Sequence, residues 1–339
     1  MTTATILNRL IDRHDLSAEE AQYAFSSLMD GEMTAAQAGA FLLTLRAKGE
    51  TPHEMSTAVQ EALRRAHLVT EVSGDYADIV GTGGDGKCTF NCSTATALIL
   101  AGLGCRIVKH GNRAVSSSSG AADVLERLGY PIDLDASGVA ASVQRCGFAF
   151  CFAPHFHPCF KNIGPIRREL GVRTLFNLLG PMLNPSRPPF MMLGVARPEL
   201  VPAVAAVLGQ GGSYKRALVI CGAGGYDELT LFGPATASLV MGKEVTRLDI
   251  DPVEWGFCEI PPTEENAAAL RVESREEAET AIRAVLSGQG SPAMAEMVAF
   301  NAAVALWIFH PELSKSECAA RARRAVSEGV GMNVVNTWK

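Results

Sequence analysis

The 339-residue chain is 47% hydrophobic, 19% charged and 6% aromatic, with 32 glycines, a composition that supports a large buried core and excludes disorder as a description of the whole. Thirty basic against 36 acidic side chains give a formal charge of −6, so there is no general electrostatic footprint for nucleic acid or an anionic membrane, and any bound anion must be met locally. No apolar run on the scale of a ~20-residue bilayer span stands out, and the opening Met1-Thr-Thr-Ala-Thr lacks the features of a signal peptide, which sets a cytoplasmic location as the expectation. The nine cysteines are scattered through apolar context, as reduced thiols are; Cys88 and Cys92 form a CxxxC that no second pair or histidine pair completes into a zinc site.

From Ala4 to about Leu68 the chain reads as consecutive helices. Ser17-Ala-Glu-Glu20 and Thr34-Ala-Ala-Gln37 have capping-box spacing, and Thr51-Pro52-His-Glu54 joins a cap, a first-turn proline and an acid. Apolar residues recur between them at helical spacing, among them Phe41, Leu42 and Leu45. After Asp75 the rhythm changes to short apolar runs, glycine turns and helical stretches. Strands are expected at Ala77–Val80, Cys105–Lys109, Phe148–Phe152, Phe190–Val195 and Arg216–Cys221, with helices at Ser93–Ala101 and Ala121–Leu128 between them. A mainly parallel sheet flanked by helices follows. Pro181 to Pro189 is the most proline-dense stretch and is expected to be a hinge or crossing, and Glu264 to Gly288 reads as a further helical region.

Gly81-Thr-Gly-Gly-Asp85-Gly-Lys-Cys-Thr89-Phe-Asn91-Cys92-Ser93-Thr94 runs from a strand into a helix. It fits GxGxxG, but no acid ends the next strand to hold a ribose. It also fits GxxxxGK, but Cys88 stands where a P-loop needs a hydroxyl. What both patterns share survives: glycines let backbone amides approach an oxyanion, and a helix N-terminus adds donors and a favourable dipole. The segment is an anion pocket, for phosphate. Lys109-His110-Gly111-Asn112-Arg113 followed by Ser116 to Ser119 supplies cations and hydroxyls after the neighbouring strand, and such loops converge at the carboxyl ends of a doubly wound sheet. Tyr226-Asp227-Glu228 places two carboxylates on a glycine turn, hard oxygen donors that suit Mg²⁺ with substrate phosphates. Arg167 and Arg168 lie in a helix-like run, where an arginine fork can hold a carboxylate.

At these residues the sequence resembles the anthranilate phosphoribosyltransferase family, through GTGGDG with TFN-x-ST at 81–94, KHGNRAVSS at 109–117, SGAADVLE-x-LG at 119–129, HP at 157–158 and GPIRRELGVRTLFNLLGPMLNP at 164–185. Weaker similarity continues through 226–228 and Asn301 to Leu306. The resemblance implies an α/β fold of the nucleoside-phosphorylase and phosphoribosyltransferase type: a small helical domain (1–70, with a segment near 160–185) and a large α/β domain (75–155 and 190–339) with a mainly parallel sheet. It implies transfer of the phosphoribosyl group of 5-phosphoribosyl 1-diphosphate to the amine of anthranilate, in a homodimer joined through the helical domain. By motif position the donor would be held by Gly81, Gly84, Asp85, Thr89, Asn91, Cys92, Ser93, Thr94, Lys109, His110, Gly111, Asn112, Arg113, Ala114, Val115, Ser116, Ser117 and Ala121. Gly81, Asn112 and Arg167 would contact anthranilate, and Ser93, Asp227 and Glu228 would engage up to two Mg²⁺ ions per monomer.

No nucleophile, histidine and carboxylate fall into an obvious catalytic arrangement, so positioning and electrostatics are expected to dominate, with His110 as the candidate proton acceptor. The chain departs from the family pattern at Ser118, Ala121, Cys221 and Tyr226, the first two of which would weaken phosphate contacts. A pyrimidine nucleoside phosphorylase shares the architecture, but KHGNR and RRELG favour the anthranilate enzyme. A non-catalytic paralogue acting on nucleic acid is disfavoured by the net charge and by the retained Asp227-Glu228 pair.

Overall fold

The computed structural model describes residues 1–114 and 119–338. Four helices open the chain: α1 (Thr3–Ile11), α2 (Ala18–Met29), α3 (Ala35–Lys48) and α4 (Pro52–Arg64). Both expected capping boxes form and the Thr51 cap makes a third, with Ser17, Thr34 and Thr51 accepting the third amide of their helices while Glu20, Gln37 and Glu54 reach back. Each such cap stabilises its helix by about 1 kcal/mol.

The remainder alternates strand and helix: β1 (Ala77–Gly81), α5 (Cys92–Gly102), β2 (Ile107–Gly111), α6 (Ala121–Leu128), α7 (Ala136–Cys146), β3 (Phe148–Phe152) and α8 (Ala153–Phe156). Then come α9 (Phe160–Leu170), α10 (Phe176–Leu179), a 3-10 turn at Gly180–Leu183, β4 (Phe190–Gly194), α11 (Leu200–Gly211), β5 (Arg216–Cys221), β6 (Ala235–Met241) and β7 (Glu244–Ile250). The chain closes with α12 (Glu264–Ala268), α13 (Arg275–Leu286), α14 (Pro292–Phe309), α15 (Lys315–Ser327) and α16 (Val330–Asn336). The sheet runs β3-β2-β1-β4-β5-β6-β7, and its first five strands are parallel. Strand order reverses between β1 and β4, where Gly81 lies opposite Gly194, and a crevice opens at the carboxyl ends of strands at such a switch point.

One face of the sheet is covered by α5, α13, α14 and α15 in a single apolar cluster that includes Leu218, Phe300 and Ile282. The other face shares its core with the N-terminal helices, because Phe25 and Phe41 belong to one cluster with Ile163 of α9, Leu193 of β4 and Val219 of β5. Residues 159–183 join that second cluster, so the helical layer is completed by a later stretch of chain.

Four expectations are corrected. β6 and β7 were not foreseen; they pair antiparallel through a turn at Gly242, which has φ +58°, and close one edge of the sheet. The strand expected at Cys105–Lys109 begins two residues later and runs through Gly111, so Lys109 and His110 are buried strand residues rather than loop residues. Glu264–Gly288 is broken at 269–274, where Leu270 and Val272 bond to the glycine segment instead of continuing a helix. Finally, no run of bilayer-spanning scale was expected, whereas the 18-residue α14 is long and apolar enough to span a bilayer; residues 297–306 are buried, and the helix packs against α15 and α5 as a core helix. The proline-dense stretch is a buried crossing into β4, with Pro181, Asn184 and Ser186 all inaccessible.

Candidate active site

The segment after β1 is shaped by what approaches it. A Cβ on Gly81 would lie 2.3 Å from Asp227 Oδ2, so only glycine lets the acidic turn close onto the strand end. The Gly83 amide donates to Asp227 Oδ2 at 2.6 Å, and Thr89 Oγ1 donates to Glu228 Oε2 at 3.0 Å. From the far side, Phe90 N donates to Leu270 O and Val272 N to Cys88 O, at 3.2 and 2.9 Å. Asn301 of α14 fixes the acidic turn by accepting from Leu229 N and donating to Leu229 O. The helix α5 then starts at Cys92, and Asn91 Nδ2 and Thr94 Oγ1 are buried with no partner among the described residues. Unsatisfied donors in such a place are held for a ligand or water.

Asp227 and Glu228 are both held well above the usual carboxylate range, first by burial and then by repulsion, from Asp85 on Asp227 and from Asp227 on Glu228. Lys109 is a positive group on which both acids act; its ammonium donates to Ser93 Oγ at 3.2 Å and to Ile79 O, and burial lowers its pKa while Asp78 and the two acids oppose that. Ser93 completes the group by donating its amide to Glu228. The Asp85 carboxylate acts on Asp227 by its charge and by side-chain contact, both of which raise the Asp227 pKa. Oxygen donors with excess negative charge suit Mg²⁺. Among the described residues no cluster of three His, Cys, Asp or Glu side chains is spaced as a closed metal site, so a cation here would complete its shell with substrate oxygens and water. The donors fit the ion.

His110 Nδ1 lies 3.2 Å from Gly180 O, its ring meets that of His157 edge-on at 5.2 Å, and burial pushes its pKa down to about 3. Such an imidazole is neutral and weakly basic, and its buried Nε2 has no partner among the described residues. His157 likewise bonds Leu183 O at 2.7 Å and is pushed down to about 4. Both rings protonate more readily in the unfolded chain, so their contribution to stability is full above pH 6.5 and is lost as pH falls towards about 4 and then about 3. Urea unfolding should therefore show stability falling steeply below pH 6.5, and His157→Gln, which keeps a donor for Leu183 O, should flatten that slope.

The Arg113 guanidinium pairs with Glu126 at 2.7 and 3.1 Å and reaches Asp123, and so braces α6. Asn112 is exposed, with Oδ1 accepting from Arg113 N, and Ala114 N is bonded to Asp123. Gly111 and Ala121 are half-buried where β2 meets α6. Val115, Ser116, Ser117 and Ser118 lie outside the described residues. Arg167 projects from α9 over the Phe176 ring at 5.8 Å; burial alone lowers its pKa, and it has no carboxylate partner among the described residues.

Two groups escaped the sequence reading. Arg173, between α9 and α10, donates Nη2 to Gly84 O at 2.6 Å, and Arg46 of α3 donates to Arg173 O, so the helical layer grips the glycine segment. A Cβ on Gly84, at φ +73°, would fall on the Arg173 guanidinium. Asp78 of β1 is fully buried and accepts from Asn184 Nδ2 at 2.8 Å, and burial raises its pKa to about 6. No periodicity or motif spacing marks either one.

Comparison with known proteins agrees with this geometry. Residues 4–66 match the helical bundle domain, and residues 73–332 the a/b domain, of the glycosyl transferase family. The anthranilate phosphoribosyltransferase of Nitratidesulfovibrio vulgaris is 53% identical over 99% of this chain and 100% of its own, and that of Oleidesulfovibrio alaskensis 48% identical with the same coverage. The chain belongs to the anthranilate phosphoribosyltransferase family. The Thermus thermophilus member superposes with a TM-score of 0.88 at 35% identity, covering 98% of both chains. The Saccharomyces cerevisiae enzyme, solved in complex with PRPP and Mg, gives 0.87 at 27%, covering 99% of this chain and 96% of its own.

Against the family pattern, Tyr226 is buried at the acidic turn and carries the Lys87 ammonium over its ring at 4.8 Å, which ties the glycine segment to that turn. Cys221 is a buried thiol at the end of β5, with Sγ 3.8 Å from Gly222 O.

Proposed function

We propose that the chain transfers the 5-phosphoribosyl group of 5-phosphoribosyl 1-diphosphate to the amine of anthranilate, giving N-(5-phosphoribosyl)anthranilate and pyrophosphate in tryptophan biosynthesis. The observation that carries this reading is the meeting of the glycine segment, the α5 N-terminus and the Asp227–Glu228 turn at the β1/β4 switch point, in a chain whose relatives of that name match it end to end.

The donor's phosphates lie against the amides of residues 83–94 and the free Asn91 and Thr94 groups, with Lys109 supplying charge from beneath. Arg167 takes the anthranilate carboxylate. When bound through Asp227, Glu228 and Ser93, Mg²⁺, one or two ions per monomer, supplies positive charge for the departing pyrophosphate. The amine nitrogen forms its bond to C1 as the C1–O bond to pyrophosphate breaks, and then releases one proton. An aromatic amine attacks as a neutral nucleophile, so alignment and charge matter more than a strong base. A pKa of about 3 leaves His110 a weak acceptor, and its bond to Gly180 makes it a positioning group.

The remaining parts of this reading have support of different kinds. A helical domain of residues 1–70 with 160–185, set against an α/β domain, matches the shared apolar cluster. Dimerisation through the helical domain is supported by Ile11 of α1 and Leu43 of α3, which are 62% and 40% exposed. A reducing, cytoplasmic location accords with nine unpaired thiols. No role is assigned to nucleic acid or membrane.

The test mixes purified protein, 5-phosphoribosyl 1-diphosphate, Mg²⁺ and anthranilate, and follows loss of anthranilate fluorescence with pyrophosphate release. Consumption abolished by EDTA is expected; donor binding without turnover would point to another amine or a non-catalytic relative. Arg173→Ala should raise the donor KM about tenfold with kcat within a few-fold, because one charge-assisted bond to the glycine segment is lost.

A further inference from the structure

A cavity of about 350 Å³ lies between α4, the crossing segment and α11, and none of the residues assigned to the transfer reaction lines it. Val59, Leu63, Met182, Val207 and Leu208 form its apolar floor. Val59 and Leu63 share one face of α4 with Ser56, Gln60 and Arg64, at spacings of three and four residues. Two arginines, Arg64 and Arg187, contribute to the lining, and no carboxylate does. Arg64 is occupied by Glu61 at 2.6 Å. Arg187 is exposed, has no ion-pair partner among the described residues and sits at φ +52°, a conformation an L side chain adopts at a cost of about 1–3 kcal/mol and one that clusters at ligand sites. Tyr214 adds a phenol ring to the lining.

An apolar slot of this size with one free guanidinium and a phenol has the make-up of a pocket for a small organic anion with a flat hydrophobic body. Inorganic phosphate would leave the floor unused, and a neutral hydrocarbon would leave Arg187 unanswered. We propose that this cavity binds a small aromatic carboxylate, its ring against the Leu63, Met182 and Leu208 floor and its carboxylate on Arg187.

The site is wired to the reaction crevice. Asn184 lines the cavity and also donates to Asp78 Oδ2 at 2.8 Å and to Val108 O at 2.7 Å. Asp78 in turn acts electrostatically on Lys109, whose ammonium reaches Ser93. A ligand that holds the crossing segment therefore bears on the strand that carries Lys109, and the two sites affect each other's affinities reciprocally.

The probe is 2-naphthoate, which has no amine to react, titrated by its fluorescence against the full-length protein. Saturable binding is expected. Gly211→Leu fills the cavity, since a Cβ at Gly211 meets nothing nearer than Ser213 Oγ at 3.8 Å, and should abolish that binding. Arg187→Gly removes the guanidinium and relieves the backbone, and should weaken binding about tenfold. Both variants should keep the basal transfer activity, which shows that they fold. In the unsubstituted protein 2-naphthoate should shift the donor KM at least about twofold, by an effect that Gly211→Leu removes. Absence of binding up to ~10 mM, a weaker affinity than ordinary pocket binding provides, overturns the proposal. So does binding that survives both variants but disappears in Arg167→Ala, which would place the probe in the anthranilate site and leave the transfer reaction standing. An unchanged donor KM overturns the link through Asn184.

Discussion

Asp227→Asn and Glu228→Gln should each lower turnover at saturating substrates by about 10²- to 10³-fold, the scale on which a pre-placed electrostatic group acts in a transition state. The same variants should be more stable than the parent when magnesium is absent. Both acids are raised first by burial and then by a neighbouring carboxylate, Asp85 for Asp227 and Asp227 for Glu228, more than they are relieved by the amide of Gly83, the hydroxyl of Thr89 or the amide of Ser93. An amide keeps the acceptor oxygen and removes the repulsion, a gain on the order of 1–3 kcal/mol for a poorly compensated buried group. Steady-state kinetics and thermal melts in EDTA measure the two effects on one preparation. Opposite signs are the expected outcome, because a site built to receive a cation is strained without it. A large loss of turnover in His110→Ala beside a nearly neutral Asp227→Asn would instead mean that proton transfer carries the reaction.

Much of this architecture could be read in the residues. Ser17, Thr34 and Thr51 announced their helices because a capping box is local, and Phe148–Phe152 and Arg216–Cys221 announced strands because a strand covered on both faces is a continuous apolar run. The strand β7 could not be found that way: Glu244, Val245, Thr246 and Arg247 are all exposed, so there is no apolar alternation to detect. The anion loop and the acidic turn were legible as separate motifs, but their contact through Gly83 and Asp227 joins residues 144 apart in the chain. Arg113 has a contact that the sequence did not reveal. It sits in a basic, hydroxyl-rich run that looks ready for a polyanion, and only the docking of α6 reveals Glu126 as its partner. Asp123 and Glu126, three residues apart on one helix face, were the available signal. Arg167, Arg168 and Arg173 are likewise indistinguishable by composition. The helix places Arg167 on the Phe176 ring, while the loop after α9 carries Arg173 across to Gly84.

Arg167→Ala should raise the KM for anthranilate by about 10²-fold while leaving the donor KM within a few-fold, because a bidentate guanidinium–carboxylate pair is worth about 3 kcal/mol when half-buried. In the free protein this guanidinium is already partly withdrawn from water, and nothing among the described residues offers it a negative charge. It lies over the face of Phe176, at 5.8 Å. The substrate carboxylate therefore recovers a desolvation cost that the fold has met in advance, and affinity falls when the group is removed. Arg167→Lys should restore little, since an ammonium cannot match both oxygens from a fixed plane. Aniline, which has the amine without the carboxylate, supplies the matching substrate-side deletion. It should react poorly with the unsubstituted protein and no worse with Arg167→Ala, the non-additivity that marks a direct pair. Equal further losses in the doubly deleted combination would mean that Arg167 acts on the donor or on folding, and that the carboxylate is held elsewhere.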